Sequence, residues 1–359
     1  MLTRIIITQG IEPEVRPIAD KFARYFSNIY SPNNKHRAQS LRKEYASLHE
    51  NYFEYPLGDY CTFDTELVSK IIFDLKCGKA PDINGLTAEY LNRAHPSLPV
   101  ILSKLFRLCI SCKYVPASFG HSYIVPLPKT KDCTTKSLAC EDFRGIAISP
   151  VISKIFENCL ITKLREFLST DSNQFGFKKG LGCTHAIYTV RRVVEKLLNG
   201  GNTVNLCSID LSKAFDKVNH HALLMKLIKR NLPVDLLDLL DNWLQNCFSC
   251  VKWNHVLSHT FMVKFGVRQG SVLSPYLFAI YLDDIPVFRS LIPRSFVVMY
   301  ADDILLIAPS CGELQLLFQA CECELNALDM CINTKKSCCI RIGPRCDMAT
   351  ANQRACKPP

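Results

Sequence analysis

No apolar run in this 359-residue chain reaches the roughly 18 to 20 residues that a helix needs to cross a bilayer. The Ile5-Ile6-Ile7 triplet is too short for a secretory leader. No internal repeat stands out. The 19 cysteines fall below the density of disulfide scaffolds and follow no regular framework. The pairs Cys109/Cys112 and Cys247/Cys250 lack a nearby second pair or histidine ligands, so they read as small core residues rather than zinc ligands. These absences exclude a membrane span and a secreted disulfide module. They leave an intracellular protein of nucleus or cytoplasm, not secreted, as the expectation.

What is present is ordinary globular material: 48% apolar and 21% charged residues, enough for two or three subdomains. The net charge of +10 favours a polyanionic partner without separating nucleic acid from acidic membrane or protein.

Along the chain, the aromatics Phe22, Tyr25, Phe26 and Tyr30 before the turn formers Ser31–Lys35 suggest a tether or an outer helix. Leu67, Val68, Ile71, Ile72 and Leu75 recur at helical spacing and stop at Gly78, and Ile101 to Cys109 repeat the pattern. Tyr123–Lys129 reads as an edge strand because its prolines lack ladder donors. Phe143–Ile148 is a strand, followed by Ser149 as helix cap and an apolar face from Val151 to Leu168. A further helix carries Ala186, Ile187, Val190, Val194 and Leu197. Lys178, Lys179, Arg191 and Arg192 form a basic cluster, open between a solvated face and a phosphate contact.

Thr203–Ile209 is a short apolar strand that ends on Asp210. Helices are expected at 220–230 and 234–246, a hairpin across 248–264, a flexible loop at Gly266–Ser271 and a capped helix from Ser274. Ser310-Cys311-Gly312-Glu313 is a capping box before an apolar stripe, and Lys336–Ile342 a last strand. From 335 onward six basic residues face one acid, which suits a tail near nucleic acid or a solvated one.

The chemistry concentrates in Phe296–Ala308, where Asp302 and Asp303 interrupt an apolar run that reads as a buried hairpin. Two carboxylates in an apolar setting repel each other and favour protonation unless a cation shares the site. With Asp210 at another strand end, three carboxylates are available to two divalent ions, of which Mg2+ suits hard oxygen ligands best and Mn2+ is a substitute.

These residues resemble the reverse transcriptase domain of non-LTR, LINE-type retrotransposons. Tyr300-Ala301-Asp302-Asp303 matches the YADD box, Ile209–Val218 the first acidic box and Gly266–Pro275 the glutamine-glycine box, in the family's order. Phe143-Arg144-Gly145-Ile146 is similar to the fingers box, with Gly145 where proline is usual. Asn173–Phe177, Gly78–Gly85 and Asn333–Ser337 resemble further blocks, so that residues 65 to 343 are covered. A second YxDD string, Tyr281–Asp284, sits on a helical pattern and reads as a solvated helix end.

The resemblance implies an α+β right-hand polymerase fold with fingers and palm, an antiparallel palm sheet covered by helices, and a thumb incomplete or absent. It divides the chain into an extension or linker at 1–64, fingers with part of the palm at 65–200, the palm with the metal site at 201–343, and a disordered basic tail at 344–359. It also implies an RNA-directed DNA polymerase that joins deoxynucleoside triphosphates to a DNA primer on an RNA template, with no membrane partner. Asp210, Asp302 and Asp303 would then be catalytic metal ligands, aided by the Leu211 carbonyl. Phe215 would exclude a ribose 2′-hydroxyl, Gln269 and Gly270 would underlie the nucleotide, and Lys129 and Arg144 would meet the triphosphate. Lys336 would lie near the leaving pyrophosphate, with Lys335 beside it leaving the register open. An RNA-templated RNA polymerase would more typically place an acid where Phe215 stands. A group II intron-type enzyme and an inactive nucleic-acid-binding relic are the competing readings.

Overall fold

The computed structural model describes residues 15–53, 63–129, 138–290 and 292–344. The Ile5–Ile7 triplet and the basic tail beyond Pro344 lie outside them. The chain forms two compact units, Met1–Leu168 with Phe215–Leu277 and Ser169–Ala214 with Phe278–Pro359. Each draws on two stretches of sequence, whereas divisions at 64, 200 and 343 follow chain order.

The first unit begins with α1 (Val15–Ile29), α2 (Lys35–Glu50), α3 (Thr65–Phe73), α4 (Ala88–Asn92), α5 (Leu98–Ser111), α6 (Ala117–Gly120), β1 (His121–Pro128), β2 (Phe143–Ile148) and α7 (Val151–Lys163). The chain then gives α8 (Cys183–Asn199) and β3 (Val204–Ile209) to the second unit. It returns for α9 (His220–Lys229), α10 (Val234–Gln245), β4 (Phe248–Trp253), β5 (Val256–Leu257) and β6 (Phe261–Met262). After α11 (Ser274–Tyr281) the second unit is completed by β7 (Phe296–Tyr300), β8 (Asp303–Ala308), α12 (Cys311–Ala327) and β9 (Cys338–Ile342).

In the first unit α1 buries Ala19, Phe22, Ala23 and Phe26, a helical stripe. The Phe22 ring centre lies 4.9 Å from that of Phe143, edge to face, and 5.1 Å from that of Trp253 at a tilt. Of the two readings of these aromatics, tether or outer helix, the structure shows the helix, and the aromatic cluster is its packing face. Gly145 belongs to the same contact, since a Cβ there would stand 2.7 Å from the Phe26 ring. That close approach explains a glycine in the fingers-like box.

The sheet runs β2-β1-β4-β5, with β6 also on β4. β1 pairs antiparallel with β2 and parallel with β4, so it is not the edge strand its prolines suggested. The β4 pairing covers only His121 to Ile124. Pro126 and Pro128 lie past its end, where a missing N–H breaks no ladder on that side.

Helix α7 starts one residue later than expected, and Ser149 does not cap it; its buried Oγ finds no partner among the described residues. Asp82 caps it instead. Its Oδ2 accepts from Val151 N at 3.0 Å, while its Oδ1 accepts from Asn84 N and Leu86 N at 2.9 Å each. α7 stops at Lys163, short of Leu168, and α3 stops at Phe73, leaving Gly78 to turn the next loop at φ +72°.

The second unit is a sheet of order β7-β8-β3-β9, antiparallel throughout. Ala186 and Leu197 of α8 pack with Val204, Val298 and Ile307. Ile187, expected on that face, points to solvent instead. Ser310 caps α12 by accepting from Glu313 N at 3.2 Å, and the return contact runs from its hydroxyl to Glu313 at 2.7 Å. None of the described helices is long and apolar enough to cross a membrane.

The β7–β8 hairpin turns at Ala301, whose φ of +56° is unusual for a residue with a side chain. Gln174 holds it there: Oε1 accepts from Ala301 N at 3.1 Å and Gly176 N at 2.9 Å, and Nε2 donates to Ala301 O at 3.2 Å. Phe175 N donates to Met299 O and Met299 N to Asn173 O. A Cβ on Gly176 would come within 2.3 Å of Ala301 N. The Asn173–Phe177 block is thus a brace on the acid turn.

Removing Asp82 leaves buried N–H groups unpaired, so Asp82→Ala should lower stability by about 1–3 kcal/mol in urea unfolding. Gln174→Ala should speed hydrogen exchange at Ala301 more than at the centre of β3, a local effect that a uniform loss of protection would contradict.

Candidate active site

Strand register in the second unit gathers the carboxylates. β3 pairs with β8 through Ile209 opposite Ile304, so the next position on each strand is Asp210 and Asp303. Tyr300 pairs with Asp303 across the hairpin, and Asp302 occupies the turn. The flanking Val297, Met299, Ile304 and Leu306 are fully buried. The acids are not: Asp210 and Asp302 are half-buried and Asp303 is exposed. The expectation of a buried acid pair is corrected, because the chain turns outward where the strands end.

Asp303 nonetheless senses the cluster. Partial desolvation, then the Asp302 and Asp210 charges, push its carboxyl above the usual range, and the Lys336 ammonium opposes them. Lys336 Nζ lies 3.8 Å from Asp210 Oδ2, which selects it over Lys335 as the lysine facing the acids. Its high exposure makes the pair weak in stability terms.

Asp210 is fixed by the Asn333–Ser337 segment. Asn333 Nδ2 donates to Asp210 Oδ2 at 2.8 Å, Asn333 N donates to the Asp210 carbonyl at 2.8 Å, and Asp210 N donates to Ser337 Oγ at 3.1 Å. Asn333 and Ser337 are the residues that sequence reasoning missed. Both sit in the Asn333–Ser337 block, but only the strand pairing of β9 with β3 reveals their direction. Leu211 bridges Ile332, and Ser212 N donates to Cys331 O. By the alternation of an antiparallel strand, the Leu211 carbonyl therefore faces the β8 side.

Among the described residues no three acid, histidine or cysteine side chains converge as placed on one ion. The donor set still suits a hard divalent cation: three carboxylates on one sheet rim, opposed by a single ammonium.

The remaining candidates lie in the first unit. Phe215 is half-buried rather than sealed in a core, and its carbonyl accepts from Val267 N at 2.8 Å. Gln269 Nε2 donates to Asp216 Oδ1 at 3.0 Å, and its carbonyl accepts from Ala147 N at 2.9 Å. Gly270 has φ +139°, and a Cβ there would stand 1.9 Å from Ala147 O, so only glycine fits. The expected flexible loop is a pinned one. Arg144 and Lys129 are exposed at one end of the β1–β2 pair, and Lys129 Nζ donates to Glu141 O at 2.6 Å.

One further expectation changes. Asp283 and Asp284 follow the end of α11, and Asp283 accepts from Asp171 N at 2.8 Å, so it ties a loop rather than solvating a helix end. In the basic cluster Lys178 donates to the carbonyls of Thr170 and Asp171, while Arg191 and Arg192 pair with Glu195.

Comparison with known proteins places this geometry. Residues 127–354 match the family model described as reverse transcriptase (RNA-dependent DNA polymerase). A probable RNA-directed DNA polymerase from transposon X-element of Drosophila melanogaster is 26% identical over 295 residues, 80% of this chain and 31% of that protein. The RNA-directed DNA polymerase from mobile element jockey of the same organism is 23% identical over 297 residues, 80% of this chain and 32% of its own. The chain thus spans about a third of the length of these curated relatives. A solved telomerase from Candida Tropicalis aligns with TM-score 0.47 at 14% identity, covering 68% of this chain and 45% of that one. The family match covers well over half of the residues and includes the acid hairpin, the strand leading to Asp210 and the pinned glutamine-glycine loop: the chain, built of mixed helices and sheets, belongs to the reverse transcriptase family.

Proposed function

We propose that this chain carries RNA-directed DNA polymerase activity, adding deoxynucleotides to a primer 3′-hydroxyl on an RNA template. The observation that carries the reading is the rim of Asp210, Asp302 and Asp303 on neighbouring strands, with Lys336 facing Asp210. Family membership and relatives named as polymerases of mobile elements support it.

In this reading the second unit serves as palm. Asp210, Asp302 and Asp303, with the Leu211 carbonyl, would hold two Mg2+ ions, with Mn2+ as a substitute. Ions so held supply activation of the attacking oxygen and stabilisation of the leaving one in displacement at phosphorus. Asn333 and Ser337 keep Asp210 oriented, and Gln174 keeps the Asp302 turn in place. Lys336 offers positive charge where the pyrophosphate departs. On the first unit, Arg144 and Lys129 would meet the triphosphate, Arg144 through the planar donor fork that suits phosphate oxygens. Phe215 would close the space a 2′-hydroxyl needs. Gln269 and Gly270 would lie under the incoming nucleotide, where glycine permits close backbone approach.

The deciding experiment is primer extension with Mg2+ on RNA and DNA templates. Asp302→Asn should abolish extension, a loss of at least a thousandfold, while leaving binding to the primer–template within threefold; normal extension by the folded variant would sink the assignment. Phe215→Val should admit ribonucleotides at least tenfold more readily, measured as the ratio of kcat/KM for deoxy- and ribonucleotide. An unchanged ratio would remove the gate role from Phe215.

A further inference from the structure

Glu157, in the middle of α7, is a fully buried carboxylate with no place in the chemistry above. An isolated charge there would be strongly disfavoured, so its surroundings must explain it. Its Oε2 accepts from Ser271 Oγ at 2.6 Å, from Leu273 N at 2.9 Å and from Val272 N. Three consecutive residues thus donate to one oxygen. Its Oε1 accepts from Ser153 Oγ at 3.0 Å and lies 3.7 Å from Arg268. Arg268 is itself buried, donates to Phe119 O at 2.9 Å and sits 5.7 Å from the Trp243 ring centre.

The residues so held, Arg268 and Ser271–Leu273, bracket Gln269 and Gly270. The opposite side of that pair is fixed by β2, through Ala147 N donating to Gln269 O and the Gly270 backbone lying against Ala147 O. The dipeptide is therefore gripped from two directions, by a strand and by one carboxylate on a helix. The Asp82 cap at the start of α7 holds that helix in turn. Nothing in the sequence marks Glu157, because an acid within an apolar helical face reads as an interruption of the pattern.

We propose that Glu157 is the positioning residue of the Gln269–Gly270 loop, gathering the Ser271–Leu273 donors so that the loop is preorganised for the incoming nucleotide. This rests on the reading of that loop as the nucleotide-facing segment. Glu157 does not touch the nucleotide; it sets the height and tilt of the residues that do. Reach matters more than charge in this role. Aspartate keeps the charge opposite Arg268 but withdraws the carboxylate from residues 271–273, whereas glutamine keeps the length and one accepting oxygen while losing the charge. A mere ion pair with Arg268 predicts the opposite ranking.

The test uses the full chain with Glu157→Asp and Glu157→Gln, read in two ways. In primer extension on an RNA template, Glu157→Asp should raise the KM for deoxynucleoside triphosphate at least tenfold with kcat reduced less than threefold. Glu157→Gln should stay within threefold of wild type in both. In hydrogen exchange, the amides of Val272 and Leu273 should exchange at least tenfold faster in the aspartate variant and near the wild-type rate in the glutamine variant. The proposal is overturned by the reverse ranking, by unchanged exchange in the aspartate variant, or by kcat and KM effects that merely follow a loss of melting temperature. If the wild-type chain extends no primer, the polymerase reading fails, and the exchange ranking alone still upholds or overturns the clamp.

Discussion

Pairing of β3 with β8, Ile209 opposite Ile304, is the constraint on which the acid site depends. Side chains alternate faces with a period of two, so a slip of one residue would carry Asp210 to the face opposite Asp303 and turn buried aliphatic side chains to solvent. The register is enforced from both directions. Val297, Ile304, Leu306 and Ile307 have to stay buried, and β9 pairs along the other edge of β3. That second pairing is what delivers Asn333, Lys336 and Ser337 to Asp210.

Placing charges at the ends of apolar strands resolves a conflict that the sequence poses. Carboxylates inside the Phe296–Ala308 run would require protonation or a bound cation merely to fold. The left-handed Ala301 turns the chain outward, so the strands keep their burial while Asp302 and Asp303 keep access to water. A positive φ at alanine is uphill, of order 1–3 kcal/mol for sparsely populated backbone regions. The paired hydrogen bonds from the Gln174 amide and the bare Cα of Gly176 offset it. The exposed acids therefore need no bound cation merely for the hairpin to fold.

Legibility in the sequence followed the range of the interaction. The placement of Asp210 at a strand end and of Asp302 and Asp303 at a hairpin turn is readable because strand periodicity and turn position are local signals, and helices such as α5, α9 and α10 are readable from their apolar spacing. The edge position of β1 was misjudged because its prolines report only on their own donors, whereas the parallel partner β4 lies over a hundred residues away and pairs with the proline-free half. The same holds for α7. Ser149-Pro150 is a sound local cap signal, but Asp82 arrives from a distant loop and takes the position. The N-terminal aromatics were visible as a cluster and gave no hint of what they cover, since Phe143 and Trp253 come from elsewhere in the chain.

The carboxylates of this chain sort by how many donors surround them. Asp82 and Glu157 are buried and saturated by backbone N–H and hydroxyl groups, so each has little capacity left for a ligand and serves as a tie between segments. Asp210 accepts from a single amide and faces one lysine at longer range, and the side chains of Asp302 and Asp303 meet no hydrogen-bond donor among the described residues. Unsatisfied oxygens on an accessible rim can take a cation or a polar substrate without first giving up existing bonds. The distinction is invisible in composition, where all five are simply acids. It is set by where the neighbouring N–H groups point, and those directions come from strand register and helix termini. The contrast between saturated ties and open rim acids therefore separates the residues that hold this fold from those available for its chemistry.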